Sequence, residues 1–352
     1  MSVGVAIIGS GVFVREKHLP AVQEAPSLSL KALYSRSLKT AQDLGSDLSG
    51  VDLYSEDAGD GKTYSDLLAR SDIQGVIIAL PITAQPTYIK AALSAGKHVL
   101  SEKPIAKDVA SARELLAWYE QNIDKSKATW GVAENFRFFE SYQWGAAKVA
   151  ELGKVVSFSS KVHAYIKEDN KYYATSWRKQ PTHQGGFLLD GGVHFVAATR
   201  LLLGADVKPT SVSAHTVQHL PYLPPVDSVE AVWKLSNGAS GTFSNTFAAP
   251  VGITEYRVVC ERGTVTTGFG SVPMSPAYVS VKRADSDEEE RKEFPEAGFG
   301  VHLEVAAWGE KLEKGGFDER QAPKEALKDL EILEAMLKSG EQGGVPVSIH
   351  SS

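Results

Sequence analysis

A short apolar run that empties into a glycine turn restricts this chain more than any other stretch. Val5, Ala6, Ile7 and Ile8 are bounded by Gly9, and the pattern predicts a strand buried on both faces. The chain then passes through Gly9-Ser10-Gly11 into Val12, Phe13, Val14 and Arg15. A strand feeding a glycine turn that opens a helix can hold a pyrophosphate. The first glycine permits the turn, the second lets backbone approach the ligand, and N–H groups at the helix start face the anion. Gly9, Gly11, Val12 and Phe13 are therefore candidate cofactor contacts. The third position of the Gly-x-Gly-x-x-Gly fingerprint is Val14, where close packing of helix on strand favours glycine or alanine. An ordinary tight turn in an α/β protein would use the same residues.

Up to about residue 124, apolar runs alternate with helical patterns, which predicts a parallel sheet wound with crossover helices. Leu28 to Tyr34 reads as the second strand and ends in Ser35-Arg36-Ser37. Roughly 20 residues past the glycines, an NAD site places a carboxylate on the ribose 2′-hydroxyl, whereas an arginine suits a 2′-phosphate. This stretch has Arg36 and no acid, which points to NADP, with Ser35 and Arg36 as contacts. Ser65 is expected to cap a short helix through Leu68. Gly75 to Leu80 reads as a buried strand ending at Pro81, and His98 to Ser101 as the next, delivering Glu102-Lys103-Pro104 at its carboxyl end. Ligands sit at that edge in open α/β sheets, so Leu80, Pro81, Glu102 and Lys103 join the candidate cofactor contacts.

With 352 residues and 43% hydrophobic content the chain can bury a large core, and its length favours two domains, placed at 1–124 and 125–352. A net charge of −6 leaves no basic footprint for nucleic acid. The apolar stretch from Phe195 to Leu203 contains Arg200 and is too short to span a membrane. Cys260 is alone, so no intramolecular disulfide forms, and a cytoplasmic protein is the expectation.

Beyond residue 124 strand candidates follow one another: Val155 to Val162, Ser211 to Leu220, Ser228 to Ser236, Ser240 to Ala248 and Thr254 to Glu261. Asn237-Gly238 lies between two of them as a hairpin signal, and such a succession predicts an antiparallel sheet. The acidic run Asp285 to Lys292 reads as a solvated loop. Two helices close the chain, His302 to Glu313 and Pro323 to Lys338. The expected whole is an N-terminal doubly wound Rossmann sheet followed by an α+β domain with a large, mainly antiparallel open sheet.

Two groups of residues have chemistry to offer. Lys103, at the ligand edge, can move a proton to or from a hydroxyl beside a nicotinamide, although most lysines in turns are simply solvated. If Asp190 begins a helix to Leu203, Asp190 and His194 stand four apart on one face and can converge on one substrate oxygen. The bland alternative makes Asp190 an N-cap and His194 a core histidine. Glycine pairs flank this segment, at 185–186 and 191–192, and imply close approach of backbone to a ligand or to the other domain. Tyr172, Tyr173, Trp177 and Arg178 precede it, offering flat faces and a cation for a polyol or sugar. No His/Cys cluster supplies a metal site.

Taken together, the chain resembles the Gfo/Idh/MocA family of NAD(P)-dependent oxidoreductases. The resemblance rests on Gly9-Ser10-Gly11, His18-Leu19-Pro20, Ala95-Gly96-Lys97-His98-Val99, Glu102-Lys103-Pro104, and Gly186 through Asp190 to His194. It looks most like fungal NADP-dependent members with Gly131-Val132-Ala133-Glu134-Asn135 and Thr175-Ser176-Trp177-Arg178-Lys179-Gln180-Pro181. The resemblance implies that Lys103, Asp190 and His194 occupy the catalytic positions and that the open sheet serves dimerisation, so a homodimer or larger homo-oligomer is expected; Asn135, Tyr173, Trp177 and Arg178 are the candidate contacts for a small-molecule substrate. Ile82 and Gln85 depart from the asparagine and histidine common in the family. The expected activity is hydride transfer between NADP and a sugar, polyol or aldehyde. A cofactor-binding regulator without turnover, or redox-assisted elimination or hydrolysis with retained cofactor, would use the same fold.

Overall fold

The computed structural model describes residues 2–272, 275–295 and 300–349. They divide into two compact units, Met1–Glu134 with Val301–Leu327, and Asn135–Gly300 with Lys328–Ser352.

In the first unit β1 (Val3–Ile8), β2 (Leu28–Ser35), β3 (Asp52–Ser55), β4 (Gly75–Ile78), β5 (His98–Glu102) and β6 (Trp130–Ala133) form a sheet in the order β3-β2-β1-β4-β5-β6. Every pairing is parallel. Val5, Ala6, Ile7 and Ile8 are fully buried, as expected of strands covered on both faces. Strand order reverses between β1 and β4, so ligand-binding loops belong at the carboxyl ends around that switch.

These compact units differ from a division at 124 in two ways. β6 pairs with β5 and stays in the first sheet. The helix Val301–Glu313 also belongs there, because Val301, Val305 and Trp308 share a core with Val5, Ile7 and Val22. Gly75 leaves room for it: a Cβ there would sit 2.9 Å from the Trp308 ring. Nothing local in a sequence announces that a helix two hundred residues away completes a core.

The chain is helical from residue 12, winds as a π-helix over Val14–His18, and continues as an α-helix over Leu19–Glu24. Val14 is 1% exposed and its methyl lies 3.6 Å from where a Cβ on Gly9 would be. Its side chain thus fills the space a third glycine would leave, and the wider π turn accommodates it. The helix Tyr64–Leu68 is capped by Thr63 in a reciprocal box with Asp66, not by Ser65.

The second unit has nine strands: β7 (Val155–Tyr165), β8 (Pro209–Val217), β9 (Ser228–Leu235), β10 (Ser240–Thr246), β11 (Ala248–Cys260), β12 (Gly263–Val272), β13 (Ser275–Arg283), β14 (Glu289–Phe294) and β15 (Val347–Ser348). Their order is β14-β13-β12-β11-β7-β10-β9-β8-β15, antiparallel except where β10 runs parallel to β7. The acidic run expected as a loop is half strand: Glu289, Glu290 and Arg291 pair with Lys282, Val281 and Ser280. As an edge strand it is exposed up to Phe294, so no hydrophobic alternation betrays it.

Register separates the two faces of this sheet. Tyr256, Ser160, Phe243, Ala231 and Ala214 form one inward row across five strands. Helices Glu140–Glu151, Gly186–Leu203 and Pro323–Glu341 pack on that side, where Trp233 Nε1 donates to Met336 Sδ. Gly186–Leu203 has 18 residues and is long and apolar enough to cross a membrane, a length the sequence reading did not give it. Of this helix 72% is buried, which accounts for its apolar surface as core packing.

Candidate functional site

At the carboxyl end of β1, Gly9 adopts φ 127°, and a Cβ there would fall 2.3 Å from the Ala79 carbonyl oxygen. A Cβ on Gly11 would meet nothing within 4 Å. The first glycine is thus required by the neighbouring strand, while the second faces open space that a phosphate can enter. The Gly9 N–H donates to the Tyr34 carbonyl at 2.8 Å, and the Ser10 and Ser35 hydroxyls are bonded at 2.8 Å. These contacts fix the turn against the end of β2. Arg15 N–H donates to the Gly11 carbonyl at 3.1 Å, so the helix starts on the turn itself. The residues present therefore fit a dinucleotide.

Arg36 follows β2, exposed and paired with no carboxylate among the described residues. Sequence reading missed two acids close to it. Parallel pairing of Ser35 with Ser55 brings the end of β3 alongside, and Glu56 and Asp57 come with it. Asp57 Oδ1 accepts from the Ser55 hydroxyl at 2.7 Å and from the Leu38 N–H at 2.6 Å. These bonds, the hydroxyl first, hold its carboxyl below the usual range. Ser37 stands at the N-cap of helix Leu38–Gly45 without bonding it through its side chain, so Asp57 does that work from the turn after β3. Glu56 Oε1 accepts from the Tyr34 and Tyr88 hydroxyls. A cleft of about 340 Å³ opens there, lined by Tyr34, Glu56, Tyr64, Thr87 and Tyr88 among others. Burial pushes the Tyr34 hydroxyl far above its ordinary range, so it remains a donor.

Leu80 and Pro81 follow β4, with Ala79 N–H bonded to the Ile8 carbonyl of β1 at 2.9 Å. Glu102 ends β5 and accepts from the buried His18 imidazole at 2.7 Å, and Lys103 comes next. The expected cofactor contacts thus cluster at the carboxyl ends of β1, β2, β4 and β5.

In the second unit the helix carrying Asp190 starts at Gly186, four residues earlier than expected. Gly185 and Gly186 take φ 72° and 49°, left-handed conformations that turn the chain into it. Asp190 is therefore neither its N-cap nor its first residue. The glycine pairs also have a different cause from the one expected: their neighbours lie in their own unit. A Cβ on Gly185 would meet Leu337 at 2.8 Å, on Gly186 the Pro224 carbonyl at 2.2 Å, and on Gly191 the Phe247 ring at 2.7 Å.

Asp190, 6% exposed, accepts from Arg178 Nε at 2.8 Å. Arg178 lies 3.9 Å from the Trp177 ring centroid and donates to the Thr175 hydroxyl. One turn on, the His194 ring stacks on Phe136 at 4.6 Å with planes 15° apart. Phe136 follows Asn135 in the short helix Asn135–Phe138, which is anchored where Arg137 pairs with Asp329. Arg200, from the Asp190 helix, pairs with the same carboxylate. Trp177, Arg178 and Asp190 are thus brought together, and Asn135 stands beside the partner of His194. Tyr173 is 5% exposed and packed against Tyr222.

His183 was overlooked in the sequence. Burial lowers its pKa against the raising field of Asp190, and its Nε2 is buried without a hydrogen-bond partner among the described residues. Its only sequence signal is a histidine two positions before a glycine pair.

Fold and site together define a two-unit α/β protein with a dinucleotide turn and a separate set of acid–base side chains. A family model described as the oxidoreductase family's NAD-binding Rossmann fold matches residues 3–125, and its C-terminal alpha/beta domain matches 148–349. The chain belongs to the Gfo/Idh/MocA oxidoreductase family. It is 40% identical to Dehydrogenase FPY6 of Fusarium mangiferae over 349 residues, 97% of each chain. D-xylose 1-dehydrogenase (NADP(+)) 2 of Haloferax volcanii is 30% identical over 274 residues, 77% of this chain and 75% of that one. An oxidoreductase from Thermotoga maritima superposes with TM-score 0.83 at 26% identity, covering 99% of both chains. The fold is also that of KijD10, a 3-ketoreductase from Actinomadura kijaniata in complex with NADP and TDP-benzene (TM-score 0.77, 22% identity, 96% and 98% covered). Levoglucosan dehydrogenase in complex with NADH shares it as well (TM-score 0.82, 18% identity, full coverage of both chains).

Proposed function

We propose that this oxidoreductase is an NADP-dependent dehydrogenase or reductase acting on a hydroxyl- or carbonyl-bearing carbon of a sugar, polyol or aldehyde. The exposed Arg36, which pairs with no carboxylate among the described residues, carries the cofactor reading together with the open Gly11 turn. Asp57 already takes the Leu38 amide, so recognition of a 2′-phosphate falls on Arg36 and not on that helix terminus. The tyrosine-lined cleft behind it suits the adenine ring. The relatives support the substrate class, one of them being a xylose dehydrogenase.

When bound, the nicotinamide supplies or takes the hydride. Lys103 or His194 accepts the hydroxyl proton in oxidation and returns it in reduction. Asp190, held by Arg178, fixes the electrostatics of the turn on which His194 stands. An absorbance screen of sugars, polyols and aldehydes with NADP and NAD tests the whole reading. Turnover with NADP is expected; a clear preference for NAD removes the Arg36 argument, and no turnover with either removes the enzyme.

The same reading includes self-association through the outer face of the nine-stranded sheet. Ile253, His163, Thr246, Ser228 and Val217 form one outward row, and Arg257, Ser159, Thr242, Val232 and Ser213 another. Ile253, Val217 and Val232 are 40%, 44% and 51% exposed. Between the rows Lys161 and Glu230 offer opposite charges to a copy related by a two-fold axis. Light scattering should give a dimer or larger assembly, and Val232→Asp should shift it toward monomer.

A further inference from the structure

His18 is a polar ring, yet it is fully buried in the first unit. Its Nε2 lies 2.7 Å from Glu102 Oε1, 84 residues away in the chain. Its Nδ1 has no hydrogen-bond partner among the described residues, and the edge of the Phe13 ring packs against it at 5.3 Å. The contact with Glu102 is therefore the one polar interaction seen for this imidazole. The π-wound segment Val14–His18 points Val14 and His18 inward, exposes Arg15 and Glu16 and leaves Lys17 half-buried.

The position of this bond carries the inference. His18 is on the helix that leaves the glycine turn after β1; Glu102 ends β5, which is separated from β1 by β4. The bond thus bridges the carboxyl edge of the sheet across the reversal in strand order. A dinucleotide lying along that edge has its adenosine half toward β2 and its nicotinamide half toward β4 and β5. We propose that His18 is a positioning residue: by holding Glu102 it sets the Glu102–Lys103 turn for the nicotinamide half of the cofactor, and it does nothing for the adenosine half. Glu102 Oε2 has no hydrogen bond among the described residues, so one carboxylate oxygen is anchored and the other left to the ligand. This rests on the cofactor reading above.

Calorimetric titration of the full chain with NADPH and with its adenosine half, 2′,5′-ADP, separates the two. His18→Leu should weaken NADPH roughly tenfold, the effect of losing one charge-assisted hydrogen bond, and leave 2′,5′-ADP within about twofold. His18→Gln, whose amide N–H has similar reach, should restore NADPH. Glu102→Leu, which removes both the anchored and the ligand-facing oxygen, should lose at least as much as His18→Leu, and the double variant no more than Glu102→Leu alone, because His18 acts through Glu102. Equal weakening of both ligands, additive losses in the double variant, or unchanged NADPH binding would each overturn the assignment. If His18→Leu does not fold, His18→Asn, polar but too short to reach, takes its place in the cycle. NADH and 5′-AMP serve as the probes if the wild type binds only cofactor lacking the 2′-phosphate. A wild type that binds neither dinucleotide instead refutes the cofactor reading.

Discussion

The two units build their functional residues by opposite means. In the first, the glycine turn, Arg36 and Lys103 stand at strand ends, where a parallel sheet leaves backbone and side chains facing solvent at one edge. In the second, Asp190 is 6% exposed and lies on a helix packed into a sheet, reached through glycines that exist to let Leu337, Pro224 and Phe247 come close. Edge residues can be exchanged with little harm to the fold; residues lodged in packing cannot. Chemistry and stability should therefore separate in the first unit and travel together in the second.

Lys103→Met gives the sharpest test. It should lower kcat about 10²- to 10⁴-fold, with cofactor affinity and melting temperature close to wild type. Normal turnover would take Lys103 out of the mechanism. A lowered melting temperature would break the contrast. In the second unit Gly186→Ala should cost about 2–4 kcal/mol of stability, since a Cβ would strike the Pro224 carbonyl at a positive φ. Denaturant unfolding reads this, and a loss no larger than that of a surface substitution would show that the packing can yield.

Back at the edge, Arg36→Leu should raise the NADPH dissociation constant roughly tenfold or more while leaving NADH and melting temperature unchanged. Equal effects on the two cofactors would return Arg36 to the surface. The smallest effect concerns pH. Burial holds the His98 imidazole below its ordinary 6.5, so the unfolded chain takes up that proton first as pH falls. Stability from His98 should then be present above about pH 6.5 and be lost as pH drops from there through the folded-state value. His98→Gln should flatten the fall in melting temperature over that window; an unchanged slope would assign it to other groups.

What could be read in advance follows the same line. Gly9-Ser10-Gly11 and Glu102-Lys103-Pro104 were legible because strand, turn and ligand edge are consecutive in the chain. The start of the Asp190 helix was not, because Gly185 and Gly186 suit close approach to a ligand or another domain equally well, and only the packing of Leu337 and Pro224 against them decides their role. The edge strand Glu289–Phe294 hid behind its charges, and Asp57 behind the twenty residues that separate it from Arg36 in sequence.

By itself, the sequence determined the alternation that makes a parallel sheet, the succession that makes a mainly antiparallel one, and the residue types at the first sheet's ligand edge. Those are properties of neighbours along the chain, governed by periodicity and turn chemistry. Tertiary structure alone decided which helix completed the first core, why the glycine pairs are where they are, and that Glu56, Asp57 and His183 stand beside groups they do not neighbour in sequence. Such contacts depend on strand register and side-chain volume, and both are fixed only when distant segments pack.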